Sequence, residues 1–209
     1  MKNVHICPTI MTDDPSVFQK QMEEAAQYAS RVHIDLGDGV FAKRFVEVEN
    51  IWWPGGVRAD LHVMYQRPFE HVEAMLALGP QLVIVHAEAE GDFVEFATRL
   101  RAHGIESGVC LLQETPVEAI LPALQHIDHV LIFSGILGQR GVADLGLLAK
   151  VRALRSHKPQ LEIGWDGGVN DTNARALAEG GVDVLNAGGY LHGDNPAEAY
   201  TRIKTLLTH

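Results

Sequence analysis

The six residues RVHIDL, at Arg31–Leu36, form a short apolar run with the length and composition of a β-strand. Runs of this kind recur along the chain, with helical patterns between them. Strands that alternate with helices are typical of βαβ units and a parallel sheet. The candidate strands are Val4–Ile10, Arg31–Leu36, Arg58–His62, Leu82–His86, Gly108–Leu112, His129–Ser134, Leu161–Trp165 and Val182–Ala187.

Helical patterns fill most of the segments between these runs. Asp14 can cap the first helix, and Pro15 suits its first turn. Its apolar stripe consists of Phe18, Met22, Ala25 and Ala29. The later helices are predicted at Pro68–Leu78, Asp92–His103, Pro116–Leu124, Leu145–Arg155, Asp171–Glu179 and Pro196–Leu207. The stretch Ala42–Gly56 is irregular and shows no clear helix.

The number of strand candidates predicts the fold class. Eight strands in alternation with helices, without a linker or low-complexity segment, favour one closed (β/α)8 TIM barrel over residues 1–209. Barrels of this kind often run to about 200–250 residues as a single domain. An open sheet is the alternative, but a flavodoxin-like sheet normally has fewer strands.

The charge of the chain excludes some classes of partner. The formal net charge is −10, and no block of like charges appears. This argues against binding to nucleic acid or to an anionic membrane, because phosphate backbones need clustered Lys and Arg. A small phosphorylated ligand stays compatible with this charge, because barrels hold phosphate largely through backbone N–H groups and helix N-termini.

The two cysteines indicate a reducing compartment. Cys7 and Cys110 each lie inside an apolar run, so we expect two buried thiols and no disulfide. No apolar run has the length of a membrane span, and the N-terminus lacks the apolar core of a signal peptide. We therefore expect a cytoplasmic protein.

Two histidines and two aspartates stand at the C-terminal ends of strand candidates, where barrels place their chemistry. His33 and Asp35 are two apart on one strand and so point to the same side. His62 ends the neighbouring strand, and Asp166 follows the seventh strand, almost opposite the second. Two imidazoles and two carboxylates form a suitable cage for a divalent first-row metal.

This set of residues predicts proton transfer at carbon. A metal here would bind hydroxyl and carbonyl oxygens of a ligand and stabilise an enediolate. Asp35 and Asp166 would approach opposite faces of one carbon, so that one removes a proton and the other returns one, which is epimerisation. Taken singly, a His at a strand end is more often a packing residue and Asp-Gly-Gly is usually a turn. A shared metal site is favoured because all four residues are predicted at the same rim of the barrel.

Two further features lie at the same rim. His86 ends the fourth strand with Glu88 two residues on, and it is either a contact near the site or a packed strand-end His. Gly188 and Gly189 close the eighth strand, where bare N–H groups could bind phosphate, although a tight turn explains such a pair equally well.

At these residues the chain resembles the ribulose-phosphate 3-epimerase family, whose members are metal-dependent (β/α)8 enzymes. The segment His33–Phe41 resembles the family's His-x-Asp-x-Met-Asp-Gly-x-Phe. Asp60–Met64 resembles its Asp-x-His-x-Met, and Asp166–Val169 its Asp-Gly-Gly-Val. Further matches are Pro8–Ile10, His86–Ala89 and Thr115–Val117. The motifs keep their order and approximate spacing nearly from end to end.

The resemblance implies a site and its ligands. One divalent ion (zinc, iron, manganese or cobalt) would be held by His33, Asp35, His62 and Asp166, with Asp35 and Asp166 as the acid/base pair. The expected partners are a small phosphorylated sugar and further copies of the chain, in a dimer or hexamer. The predicted substrate contacts are Thr9, Met64, His86, Gly138, Gln139, Gly167, Gly168, Gly188 and Gly189.

The chain departs from the family where the substrate would be covered. After the sixth strand the family has a lid of the form Asn/Glu-Pro-Gly-Phe-Gly-Gly-Gln-x-Phe, and here the stretch 135–142 reads GILGQRGV. Gly37 and Phe133 replace methionines of the family, whereas Met64 remains. The predicted reaction is C3 epimerisation of a pentulose 5-phosphate. The alternatives are a hexulose 6-phosphate, a substrate gripped by Arg140 or Lys43, another enzyme on the same metal site, and a non-catalytic sugar-phosphate-binding barrel.

Overall fold

The computed structural model describes residues 4–137 and 141–208. Within these ranges, eight parallel strands follow one another around a closed barrel, each paired with its neighbours in the sequence and β1 with β8. The strands are β1 (His5–Ile10), β2 (Arg31–Gly37), β3 (Arg58–Met64), β4 (Leu82–His86), β5 (Glu106–Leu111), β6 (His129–Phe133), β7 (Glu162–Asp166) and β8 (Val184–Ala187). The predicted single-domain (β/α)8 TIM barrel is confirmed.

Helices connect the strands on the outside of the barrel. The α-helices of the described ranges are α1 (Pro15–Ala25), α2 (Val72–Leu78), α3 (Phe93–Ala102), α4 (Leu148–His157), α5 (Ala174–Glu179) and α6 (Pro196–Thr208). Segments of 3₁₀-helix occur at Val48–Asn50, Pro68–His71, Val117–His126, Leu145–Leu147 and Gly189–His192. In Ala42–Gly56, where the sequence shows no clear helix, the structure has only the short Val48–Asn50 turn.

The first helix forms as its sequence predicts. The side chain of Asp14 accepts hydrogen bonds from the backbone N–H groups of Ser16 and Val17 and so caps the free end of α1. The predicted stripe lies on the buried side of the helix and comprises Phe18, Met22, Ala25 and, just beyond its end, Ala29. The apolar stripe therefore fixes how α1 packs on the sheet.

The predicted helices at Pro68–Leu78 and Leu145–Arg155 begin as the 3₁₀ segments given above, and α2 and α4 follow them. Two other predicted helices differ from the observed structure for local reasons. The segment predicted as a helix at Pro116–Leu124 forms a 3₁₀-helix at Val117–His126, with Pro122 inside it. Proline has no N–H for an α-helical hydrogen bond, so this segment does not continue as an α-helix. The helix predicted from Asp171 begins only at Ala174, because the side chains of Asn170 and Asn173 bond the local backbone first. The strand ends agree with prediction to within two residues.

The core has an outer and an inner part. Outward-facing side chains of the strands pack against the helices in two large apolar clusters, one around β1–β4 and one around β5–β8. Inside the barrel, an apolar cluster fills the side formed by β4, β5 and β6; it consists of Leu82, Ile84, Cys110, Leu131 and Phe133. The opposite side of the interior is lined by polar residues, and these fall into groups at the two ends of the barrel.

The group at the N-terminal ends of the strands, which we call the basal cluster, comprises Arg31, Asp60, His129 and Glu162. Arg31 Nε donates to Asp60 Oδ2 at 2.8 Å, and both terminal nitrogens of Arg31 donate to the Glu162 carboxylate at 2.9 and 2.8 Å. His129 Nδ1 lies 2.8 Å from Glu162 Oε2. Bidentate bonds of this kind are strong and geometrically specific, so the basal cluster ties β2, β3, β6 and β7 together.

Both cysteines are free and buried, as predicted. Burial raises the pKa of the Cys7 and Cys110 thiols well above the ordinary value, so both are poor nucleophiles. Among the described helices, none is long and apolar enough to cross a membrane.

Candidate metal centre at the barrel mouth

The predicted ligands meet at the C-terminal ends of β2, β3 and β7. Asp35 and His62 are register partners on neighbouring strands, and parallel register partners face the same side of the sheet. All four residues are buried, with His33 and His62 at 0%, Asp35 at 4% and Asp166 at 8% exposure. We call these four residues the mouth cluster.

The ligand atoms of the mouth cluster lie close together. One atom from each of the four residues can be chosen so that all lie within 4.8 Å of one another. His62 Nδ1 is 2.9 Å from Asp35 Oδ1 and 3.9 Å from Asp166 Oδ2. His33 Nε2 is 3.3 Å from Asp35 Oδ1 and 4.0 Å from Asp166 Oδ2.

This arrangement fits a divalent ion. Nitrogen and oxygen ligands lie about 2.0–2.2 Å from zinc, so ligand atoms around one ion are spaced by distances similar to those measured here. Neither ring nitrogen of His33 makes a hydrogen bond within residues 4–137 and 141–208, although the ring is fully buried. The contact of His33 Nε2 with Asp35 Oδ1 at 3.3 Å does not have hydrogen-bond geometry, and ligation to a metal would satisfy the buried ring.

The two carboxylates have opposite electrostatic environments. Burial acts to raise the pKa of Asp35, but His33 and His62 outweigh it and hold this pKa below its ordinary value. Burial, and then the negative charge of Asp35, raise the pKa of Asp166. Two neighbouring carboxyl groups whose pKa values are driven apart are suited to be a base and an acid in one reaction.

A chain of side chains leads away from the mouth cluster through His62. Its Nε2 atom is 2.9 Å from Nε2 of His86, and His86 Nδ1 is 3.6 Å from Glu88 Oε2. Burial lowers the pKa of His86 to about 4, which favours the neutral ring. If His62 Nδ1 faces an ion, its Nε2–H donates to His86, and the hydrogen of His86 then lies on the side of Glu88.

A cavity of about 390 Å³ opens beside the mouth cluster. Eight of the residues predicted in the site line it: Thr9, Asp35, Met64, Asp166, Gly167, Gly168, Gly188 and Gly189. No Lys or Arg of the described ranges lines this cavity. Backbone N–H groups, neutral side chains such as Asn186 and the imidazole of His192 are the groups of this lining that could bind an anion.

The loop after β7 needs both of its glycines. Gly167 and Gly168 have φ values of 105° and 72°, which side chains other than glycine rarely adopt. A Cβ on Gly167 would lie 2.2 Å from the carbonyl oxygen of Ser134. The side chains of Asn170 and Asn173 donate to the Gly168 carbonyl at 3.0 and 2.8 Å and fix the turn.

Some predicted residues lie elsewhere. His86 contacts His62 from behind and does not line the cavity. Lys43 is exposed and does not line it either. Gly138, Gln139 and Arg140 lie outside the described residues.

Sequence reasoning missed residues that line the cavity from β8 and α1, above all Asn186 and Gln21. The signal that could have found Asn186 is a single polar residue inside the apolar run of β8.

Comparison with known proteins identifies the family. The sequence profile of the ribulose-phosphate 3-epimerase family matches residues 5–192. The chain belongs to this family. The ribulose-phosphate 3-epimerase of Mycobacterium bovis is 32% identical over 213 residues, which cover 95% of this chain and 91% of the relative. That of Chlamydia muridarum is 31% identical and covers 90% and 88% of the two chains. The predictions of the family and of a carbohydrate epimerase are confirmed.

Solved structures support the fold independently of sequence. A crystal structure of 3-hexulose-6-phosphate synthase superposes with a TM-score of 0.72 over 99% of this chain and 100% of that one, at 19% identity. At this level of identity the likeness shows the shared barrel alone.

Proposed function

We propose that this member of the ribulose-phosphate 3-epimerase family inverts C3 of a ketose phosphate with the help of a divalent metal. The first candidate substrates are D-ribulose 5-phosphate and D-xylulose 5-phosphate. The observation that carries the proposal is the mouth cluster, in which two imidazoles and two carboxylates converge beside a cavity.

The metal would be held by His33, Asp35, His62 and Asp166. When bound, it would stabilise the negative charge that develops on substrate oxygens next to C3. The identity of the ion stays open between zinc, iron, manganese and cobalt, because these ligands suit all four.

Asp35 and Asp166 would carry the proton. In one direction Asp35, whose pKa is lowered, takes the proton from C3 on one face of the substrate. Asp166, whose pKa is raised, gives a proton to C3 on the opposite face. The reverse reaction exchanges the two roles. One C–H bond breaks and one forms, so the product is the C3 epimer and no redox partner is needed.

The phosphate would lie on backbone N–H groups near Gly167, Gly168, Gly188 and Gly189, which line the same cavity as the two carboxylates. The binding of phosphate through backbone is consistent with the absence of Lys and Arg from the described lining. This contact would fix C3 between the carboxylates and so orient the substrate.

The test is isotope exchange at C3. Purified protein is loaded with each of the four metals and incubated in D₂O with D-ribulose 5-phosphate, D-xylulose 5-phosphate and a hexulose 6-phosphate. We expect deuterium at C3 and interconversion of the pentulose phosphates. Faster exchange with the hexulose 6-phosphate would identify it as the better substrate and would leave the proposed C3 epimerisation unchanged. Binding without exchange on any of the three would overturn the proposal in favour of a non-catalytic barrel.

Metal dependence is measured separately by thermal unfolding. An ion present at 100 times its Kd stabilises the folded state by about 2.7 kcal/mol, so Tm should rise with metal and fall with a chelator. No change of Tm with any of the four ions would contradict the metal site.

The proposed cytoplasmic location rests on the two free thiols. The proposed dimer or hexamer is tested by light scattering.

A further inference from the structure

Asn186 of β8 is a buried amide with no visible partner. Its side chain is 1% exposed, and neither Nδ2 nor Oδ1 makes a hydrogen bond to the part of the chain that the structure describes. It lines the same cavity as Asp35 and Asp166. Buried polar groups in native proteins are nearly always hydrogen-bonded, so an amide left without partners beside a cavity requires an explanation.

The surroundings of Asn186 show that packing does not explain it. Its neighbours Leu185 and Ala187 belong to the apolar cluster between the barrel and the helices, and an apolar residue would suit the strand equally well. Leaving both amide atoms unpaired destabilises the fold. A residue that weakens the fold and faces a cavity is typical of a binding site.

The position of Asn186 defines what it can reach. On one side its register partner is Asp166 of the mouth cluster. Along its own strand, Gly188 and Gly189 follow at the proposed phosphate position. Asn186 therefore lies between the reacting carbon and the phosphate of a substrate bound as proposed above.

Other unpaired polar atoms lie around the same cavity. Thr9 Oγ1 and Gln21 Oε1 are buried without partners within the described ranges, and both residues line the cavity. Thr9 is on β1, which pairs with β8. This side of the cavity thus offers neutral donors and acceptors, whereas the opposite side offers the metal ligands. Neutral hydrogen-bonding groups of this kind recognise hydroxyl groups.

We propose that Asn186 binds the C4 hydroxyl of the substrate, the one hydroxyl between the reacting C3 and the phosphorylated end of a pentulose 5-phosphate. The amide can donate through Nδ2 and accept through Oδ1, which matches a hydroxyl that does both. The inference rests on the proposed function and adds a residue that determines specificity for a hydroxyl group at C4.

The experiment compares Asn186→Val with the unchanged protein on two substrates, D-ribulose 5-phosphate and its 4-deoxy analogue. Loss of a hydrogen bond to the hydroxyl should lower kcat/KM for D-ribulose 5-phosphate by about 10- to 100-fold. The 4-deoxy analogue lacks the hydroxyl, so its kcat/KM should be nearly the same for both proteins. Asn186→Ser keeps a small donor and acceptor and should retain part of the discrimination.

Thermal unfolding without substrate separates binding from a structural role. Removing an unpaired amide should raise Tm by about 2–4 °C in the Asn186→Val variant. The matched control is Ser107→Ala, because Ser107 is equally buried but its hydroxyl donates to the His126 carbonyl at 2.6 Å. This control should lower Tm and leave kcat/KM unchanged. Metal content should be the same in all variants.

Equal losses of kcat/KM on the two substrates, no loss on either, or a lower Tm in Asn186→Val would overturn the inference. Failure of the proposed function looks different, because the unchanged protein would then show no exchange on any ketose phosphate. In that case calorimetric binding of D-ribulose 5-phosphate and its 4-deoxy analogue makes the same comparison. Absence of both binding and exchange in the unchanged protein would overturn both proposals.

Discussion

The barrel encloses two polar clusters that differ in how their charges are balanced. In the basal cluster Arg31 bonds both Asp60 and Glu162, and His129 adds a further contact to Glu162. The mouth cluster has two carboxylates and two imidazoles but no permanent cation among the residues described. The first cluster is an ion-paired network around a permanent cation, Arg31, although Asp60 Oδ1 and His129 Nε2 have no hydrogen-bond partner within the described ranges. The second cluster would gain such a cation only with a bound metal.

The contrast shows how one barrel separates stability from chemistry. Carboxylates at the N-terminal ends of the strands are paired with Arg31 within the protein, and these ion pairs hold the strands together. Charges at the C-terminal ends are left for ligands, which agrees with the division of labour in TIM barrels. Burial acts on both groups, since it raises the pKa of Asp60 despite Arg31 as well as that of Asp166.

The largest effect is expected from neutralising the mouth cluster. Asp35→Asn and Asp166→Asn should each lower kcat by at least about 10³-fold, because each removes an acid/base group and a metal ligand. Neither should unfold the protein. For Asp166→Asn, Tm without metal should rise, because repulsion from Asp35 disappears. Asp13→Asn, at an exposed site, is the control for both measurements. Normal turnover in either variant would contradict the proposal that Asp35 and Asp166 act together as the acid/base pair.

At the basal cluster, in contrast, substitution should lower the stability of the fold. Arg31→Met should lower the free energy of unfolding by about 3–5 kcal/mol, because it leaves the buried Asp60 and the partly buried Glu162 without their cation. Urea denaturation measures this loss. Arg58 is the register partner of Arg31 but is exposed, so Arg58→Met should change stability by no more than about 0.5 kcal/mol. Equal effects of the two substitutions would contradict a stabilising role for the basal cluster.

A smaller effect tests whether outer residues orient the mouth cluster. Glu88 is 30% exposed and contacts His86, which in turn contacts His62. Glu88→Gln should weaken metal affinity by about 10- to 100-fold, measured by competition with a chelator. Glu90→Gln changes an exposed neighbour that pairs with Arg67 and should leave metal affinity unchanged. An unaltered metal affinity in Glu88→Gln would show that the contacts from Glu88 through His86 do not orient His62.

The smallest effect is a change in acid stability. Burial acts to raise the pKa of Glu162, but Arg31 and His129 outweigh it and lower this pKa. A lowered pKa contributes stability above the unfolded value, about 4.3 for Glu, and loses it as the pH falls toward the folded value. Glu162→Gln should therefore flatten the fall of Tm below that pH. If the fall of Tm at acid pH were the same in Glu162→Gln, Glu162 would contribute nothing to the acid stability. The raised pKa of Asp60 has the opposite effect, because it favours the folded state as the pH falls.

Much of the fold could be predicted because its signals are local. Apolar runs of strand length and the cap at Asp14 depend on neighbours in the sequence, and both appear in the structure as expected. The four candidate metal ligands could be chosen because strand ends in a barrel converge on one rim. The 3₁₀-helix at Val117–His126 differs from the predicted helix because the spacing of apolar residues does not distinguish an α-helix from a 3₁₀-helix, and Pro122 favours the latter.

The amino-acid sequence by itself determined the barrel, the residue types at its mouth and the family to which the chain belongs. Only the tertiary structure decided which buried polar groups have partners. Arg31 and Glu162 are 131 residues apart and meet across the closed barrel, while Asn186 at the other end has no hydrogen-bond partner among the residues described. Periodicity reports which face a side chain occupies, but pairing depends on distances between strands that are far apart in the chain.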